Sequence, residues 1–198
     1  MTETLRLFAA LELPASILTQ LAALTKALQA GAPQGSVRWV RPEGVHLTLK
    51  FYGEVEAKQV KDLQAVLTEA ATTAGPLTFT LAGVGAFPNL TRPRVIWAGV
   101  AGDVAALKRL QTAVEAASVR LGFAPEAKPF NPHLTLGRVH RPLRPQEHGR
   151  LAQVLEQAQT PPGEPFTLDA LSLMRSELRR GGALYTRLFS APLTVRNI

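Results

Sequence analysis

Two copies of one tetrapeptide, His46-Leu47-Thr48-Leu49 and His133-Leu134-Thr135-Leu136, stand 87 residues apart. Side chains alternate along a β-strand, so each copy puts an imidazole and a hydroxyl on one face and two leucines on the other. The leucines anchor the strand, and His and Thr are left for chemistry. An imidazole titrates near pH 6.5, which keeps both protonation states within reach at neutral pH. Two of them across a phosphodiester can divide the work. One, neutral, takes a proton from water; the other, protonated, gives one to the departing ribose oxygen. The threonine hydroxyls are placed to hold the non-bridging oxygens as charge develops there. This scheme needs no metal and no cofactor. A zinc site wants three or four ligands at recognisable spacing, and neither motif carries them; His140 and His148 complete the histidine count.

Parity extends the reading along both strands. Lys50 and Tyr52 fall on the face of His46, the first a possible phosphate contact, the second a possible base contact. Gly137 falls on the face of His133, where a missing side chain leaves room for substrate. Arg138 has the opposite parity and joins that face only if a bulge intervenes. Trp39 and Trp97 sit in apolar strands and are assigned to the core. Arg175, Arg179 and Arg180 are read as a solvated hairpin rather than an approach for RNA.

The elements that must position the motifs are written twice. Leu5 to Leu13 reads as a strand, followed by a helix from Pro14 bearing Ile17, Leu21, Leu24 and Leu28 and stopped by Gly31. The first motif strand comes next, then a helix bearing Val60, Leu63, Leu67 and Ala70, then a strand from Pro76 to Leu81. The order recurs as a strand over 94–100, a helix capped by Asp103, the second motif strand, a helix from about Pro145 to Ala158, and a strand over 165–171. The strands opening at Leu5 and Arg94 are offset by 89 residues, as are those opening at Pro76 and Pro165. Repeated landmarks at nearly one offset indicate duplication. A final hairpin, 168–174 with 183–190, is expected to turn at Arg179-Arg180-Gly181-Gly182. The fold expected is α+β and bilobal, with pseudo-two-fold symmetry. Two mostly antiparallel sheets face a central cleft, with helices outside and strands free to exchange between lobes. One domain over 1–198 is built from repeats at about 5–90 and 93–192.

Composition bounds the rest. The 198 residues, 46% of them hydrophobic, suffice for a sizeable core. No apolar run reaches membrane-spanning length, and the first residues lack a signal-peptide layout, so a cytoplasmic protein without membrane contact is expected. The absence of cysteine excludes disulfides, thiolate metal sites and cysteine nucleophiles. A net charge of +7, with 16 of 22 cations arginine, leans toward polyanionic partners.

With its paired His-x-Thr-x motifs, the chain resembles the 2H phosphoesterase superfamily. Within it, the chain resembles the bacterial and archaeal RNA 2′,3′-cyclic phosphodiesterases, first described as 2′-5′ RNA ligases. The likeness runs through Arg6-Leu7-Phe8-Ala9-Ala10, Glu12-Leu13-Pro14 and His46 to Phe51 with Gly53-Glu54. It continues through Pro93 to Val100, Pro132 to Leu136, and Leu173-Met174-Arg175-Ser176-Glu177-Leu178. This resemblance implies hydrolysis of a terminal 2′,3′-cyclic phosphate on RNA to a 2′-phosphomonoester; a small cyclic nucleotide is the other substrate expected of the cleft, and the protein is expected to be a monomer. The resemblance implies His46 as proton donor, His133 as proton acceptor, and Thr48 and Thr135 as phosphate contacts. The chain departs from the family in carrying Asn131 where a basic residue is frequent. Two other readings stand beside it: 2′-5′ RNA ligase or 2′-5′ phosphodiesterase activity in the same cleft, and a non-catalytic RNA-binding module.

Overall fold

A computed structural model describes residues 3–160, 164–179 and 182–195. The chain runs β1 (Thr4–Glu12), α1 (Ala15–Gly31), β2 (Val37–Trp39), β3 (His46–Glu56), α2 (Val60–Ala71), β4 (Leu77–Phe87) and β5 (Val95–Gly102). It continues α3 (Val104–Val119), β6 (Leu134–Val139), α4 (Pro145–Gln157), β7 (Phe166–Leu168), β8 (Ala170–Arg179) and β9 (Gly182–Pro192). The expected α+β architecture is present. The strand predicted over 165–171 is two strands, β7 and β8, broken at Asp169. Of the hairpin turn, Arg180 and Gly181 lie outside the described residues.

All pairings are antiparallel, in the order β7-β4-β5-β6-β3-β1-β8-β9, with β2 beside β6. The two halves of this ladder meet at one paired position, Leu47 with Leu134. The joint between half-sheets therefore falls inside the two motifs. In one half β1 is flanked by β3 and β8; in the other β5 is flanked by β6 and β4. Each central strand takes one neighbour from its own end of the chain and one from the other end. Strands are exchanged between the halves.

Helices cover one face, where α1 packs on α4 and α2 on α3. Leu7, Leu11, Ile17, Leu47, Leu63, Ile96, Leu107 and Leu134 fill this core, each at most 1% exposed. The other face has its own small cluster of Phe8, Ala10 and Met174, with Tyr185 packed against it. This explains the unbroken apolar run Leu7-Phe8-Ala9-Ala10-Leu11: both faces of β1 are covered, so alternation is lost. The second cluster is the floor on which the site stands.

Candidate active site

Leu47 and Leu49 enter the core, while His46 and Thr48 are half-buried on the opposite face. On the second motif Leu134 and Leu136 are buried, and His133 and Thr135 are half-buried. His133 immediately precedes β6. The pairing at Leu47 and Leu134 brings the two motifs side by side, and the charge of His133 is felt at His46.

Each imidazole is held from below by the backbone two residues upstream. The His133 Nδ1–H donates to the Asn131 carbonyl at 2.8 Å, which leaves Nε2 as the free nitrogen. His46 makes the corresponding hydrogen bond to the backbone of Gly44, in the 3-10 turn Pro42–Gly44. Aromatic rings hold them laterally. Phe8 stacks on His46 at 4.6 Å and Tyr185 meets it edge-on at 4.9 Å. Phe87 meets His133 edge-on at 4.9 Å. At Asn131 it is thus the carbonyl, which any residue supplies, that orients the second histidine.

A register shift just after the histidine and threonine of each motif redistributes the parity of the strand. In β3 the register runs Ala10 with Thr48, then Ala9 with Lys50, so Leu49 is an extra residue. A bulge of one residue turns the residues that follow it to the other face, here as far as a second register shift at Tyr52. Lys50 therefore points away from His46 and is 5% exposed, its Nζ donating to Glu115 Oε2 at 2.6 Å and to the Ala124 carbonyl at 2.9 Å. Tyr52 is buried too, with its hydroxyl 3.1 Å from Ser118 Oγ and its ring against Phe123. Burial pushes this phenol up to about 12. Neither residue is a substrate contact, contrary to simple alternation. The side chain that takes the cleft side is Phe51, 58% exposed and 5.7 Å from Phe8.

In β6, Thr135 faces Trp97 and Gly137 faces Ile96, leaving Leu136 as the extra residue. Arg138 thereby joins the face of His133 and Thr135. Gly137 moves to the core, where an added Cβ would come within 2.7 Å of Val37 Cγ1 and 3.0 Å of Trp39 Cε3. Its bareness serves packing, not substrate. Trp97 stands opposite Thr135 and beside Phe87, on the cleft face rather than in the main core with Trp39. No local signal in either motif marks these bulges.

The electrostatics favour an anion. Burial lowers His46 from its ordinary 6.5 to about 4, a shift partly opposed by the Gly44 hydrogen bond and reinforced by the charges of His133 and Arg138. His133 is also lowered, chiefly by burial, with Arg138 again contributing. Glu12 pairs in register with His46, but its carboxylate accepts from Ser172 Oγ at 2.6 Å and from Arg187 at 3.3 Å. A phosphate between the rings would supply the missing negative charge.

Stability should report this directly. A histidine whose folded value lies below its unfolded one favours folding while both states are neutral, and that contribution is lost as pH falls from 6.5 towards 4. For His46 the loss between pH 7 and pH 4 is about 3 kcal/mol. Denaturant titrations of wild type and His46→Asn should diverge by about that amount at pH 4 relative to pH 7. Parallel curves for the two proteins would refute the assignment.

Comparison with known proteins places these features in a class. The LigT-like phosphoesterase family model matches the chain twice, over residues 11–97 and 100–185. The chain belongs to that family. An RNA 2′,3′-cyclic phosphodiesterase of Methanothermobacter thermautotrophicus is 31% identical over 181 residues, covering 91% of this chain and 95% of the relative. One from Archaeoglobus fulgidus is 38% identical over 137 residues, covering 69% and 74%. The crystal structure of E. coli LigT in apo form superposes with a TM-score of 0.75 at 29% identity, covering 98% of this chain and 99% of that one. The same E. coli protein has been crystallised with 3′-AMP, covering 97% of this chain and 99% of that one, with a TM-score of 0.75 at 28% identity. Among the described residues no helix is long and apolar enough to cross a membrane.

Proposed function

We propose that this protein hydrolyses the terminal 2′,3′-cyclic phosphate of RNA to a 2′-phosphomonoester by two-histidine acid–base catalysis. The observation that carries the proposal is the pair of imidazoles, each fixed by a backbone hydrogen bond two residues upstream, on motifs joined at Leu47 and Leu134. His133, its Nδ1–H committed to Asn131, offers Nε2 to take a proton from the attacking water. The water oxygen bonds to phosphorus, the bond from phosphorus to the ribose 3′ oxygen breaks, and His46 gives that oxygen its proton. Thr48, Thr135 and Arg138 hold the non-bridging oxygens. His46 at about 4 is neutral in the free protein near pH 7. The anionic substrate raises it, so the acid becomes charged when there is a phosphate to receive its proton.

This reading treats the chain as one domain of two repeats, each contributing one motif, and the names of the curated relatives support RNA ends as substrate. The scheme calls for no metal ion. Incubation with an oligoribonucleotide ending in a cyclic phosphate should yield the 2′-monoester, at a rate indifferent to chelator. A 3′-monoester, or loss of turnover with EDTA, would overturn the mechanism. RNA binding without turnover would instead favour a binding module.

A further inference from the structure

We infer that Arg38, standing beside Arg138, binds the phosphodiester immediately upstream of the RNA's cyclic end. The inference rests on the reading above and extends it from the terminus to the strand behind it. β2 is three residues long and pairs only with β6. Its register sets Val37 opposite Val139, Arg38 opposite Arg138 and Trp39 opposite Gly137. Residues paired directly across two strands share a face. Trp39 and Val37 therefore pack against the bare Gly137 on the core side, and Arg38 lies beside Arg138 on the side of the imidazoles.

Two like charges directly opposite each other on neighbouring strands repel. Some arginines meet acids, Arg141 and Arg144 at Glu147, Arg175 and Arg179 at Glu177 and Arg187 at Glu12, while among the described residues Arg6, Arg41, Arg92, Arg94, Arg109 and Arg150 have no ion-pair partner; what sets Arg38 and Arg138 apart is that they stand opposite each other. Among the described residues neither Arg38 nor Arg138 has a carboxylate within ion-pair distance. Both residues are exposed. A charge on a short edge strand also discourages edge-to-edge association, but that purpose does not require a second arginine opposite it. Two successive phosphates of one strand do, because each guanidinium fork matches the oxygens of a phosphate in pairs.

The placement fits a strand leaving the catalytic cleft. Arg138 acts electrostatically on both imidazoles, so it belongs at the terminal phosphate. Arg38 stands on the flank of β6 that also carries β3, about 4.8 Å across the ladder and four residues along β6 from the joint at Leu134, where the next phosphodiester would be met. A mononucleotide substrate has no group to meet it.

The test compares affinity for a fluorescent single-stranded RNA octamer bearing a 2′-phosphate with affinity for a nucleoside 2′-monophosphate, across a series of salt concentrations. Arg38→Ala should lower the octamer-to-nucleotide affinity ratio about tenfold and reduce the slope of log Kd against log salt by about 0.7, the share of one single-strand phosphate contact. Arg38→Lys should retain most of the slope. Lys26→Ala, which removes an exposed charge from α1, should leave ratio and slope as in wild type. An unmoved ratio and slope in Arg38→Ala would overturn the inference. So would a Tm lowered by several degrees, which would make Arg38 structural; relief of repulsion predicts an equal or higher Tm. Turnover by the wild type separates the two readings. Hydrolysis with an unmoved ratio removes the upstream contact alone. Salt-sensitive octamer binding lost in Arg38→Ala, without hydrolysis, removes the catalytic reading and keeps the contact.

Discussion

Alanine at His46 or at His133 lowers kcat for a nucleoside 2′,3′-cyclic phosphate by on the order of 10²–10⁴-fold, the usual contribution of a positioned acid or base. Removing both costs little more than the worse single change, because the two groups serve one transition state and their effects do not add. The two variants should also differ in kind. His133→Ala takes away the group that must be neutral, so the rise of kcat/KM with pH flattens. His46→Ala takes away the group that must be charged when substrate is bound, so the fall of kcat at higher pH flattens. The two depressed imidazoles make this readable: in the free protein the ascending limb should lie below the ordinary histidine range, since His133 is lowered by burial and by Arg138. An ascending limb at or above pH 6.5, or a variant retaining more than a tenth of wild-type kcat, would sink the acid–base assignment. Tm measured at pH 7 provides the folding control.

The placement of the motif side chains is legible in the sequence because they are the first residues of each motif, before anything disturbs alternation. His46 with Thr48, and His133 with Thr135, share a face, and the leucines between them are buried. The offset of 89 residues foretold that β1 and β5 would play matching parts, each central in its half-sheet. What alternation could not carry was the next few positions. The extra residues Leu49 and Leu136 are set by how β3 docks on β1 and β6 on β5, information that lies in two strands at once. One inserted residue was enough to move Lys50, Tyr52 and Gly137 off the cleft face and Arg138 onto it. Phe51 is hidden for the same reason, since simple alternation puts it on the face opposite His46. Trp97 reads as core because an apolar strand looks the same whether a given side chain meets the main core or, as here, Phe87 on the cleft face. The hydrogen bonds that orient both rings come from backbone atoms, which no residue pattern announces.

The displacement of Lys50 has a consequence for stability that exceeds any expected of the other surface changes. The residue is 5% exposed and its ammonium is joined to Glu115 at 2.6 Å and to the Ala124 carbonyl at 2.9 Å, so it ties β3 to α3 directly behind the first motif. Glu115 also accepts from Gln111 Nε2 at 3.2 Å, and the Tyr52–Ser118 hydrogen bond lies on the same seam. Glu115→Ala leaves a buried cation unpaired, a change that costs about 3–5 kcal/mol. For a chain of this size each kcal/mol moves Tm by about 2–4 °C, so a fall of roughly 10 °C is expected. Lys50→Met should cost less, because Glu115 is the more exposed partner and recovers some hydration. The double variant Lys50→Met with Glu115→Leu should return most of the lost stability, as apolar replacement of a whole buried ion pair does elsewhere. Because the side chain points away from His46, folded Lys50→Met should keep kcat within about threefold of wild type, the size of a small positional effect rather than a lost catalytic contact. A Lys50→Met protein with unchanged Tm and a kcat lower by about 10²-fold would return this lysine to the substrate, and with it the simple alternation that the bulge at Leu49 overrides.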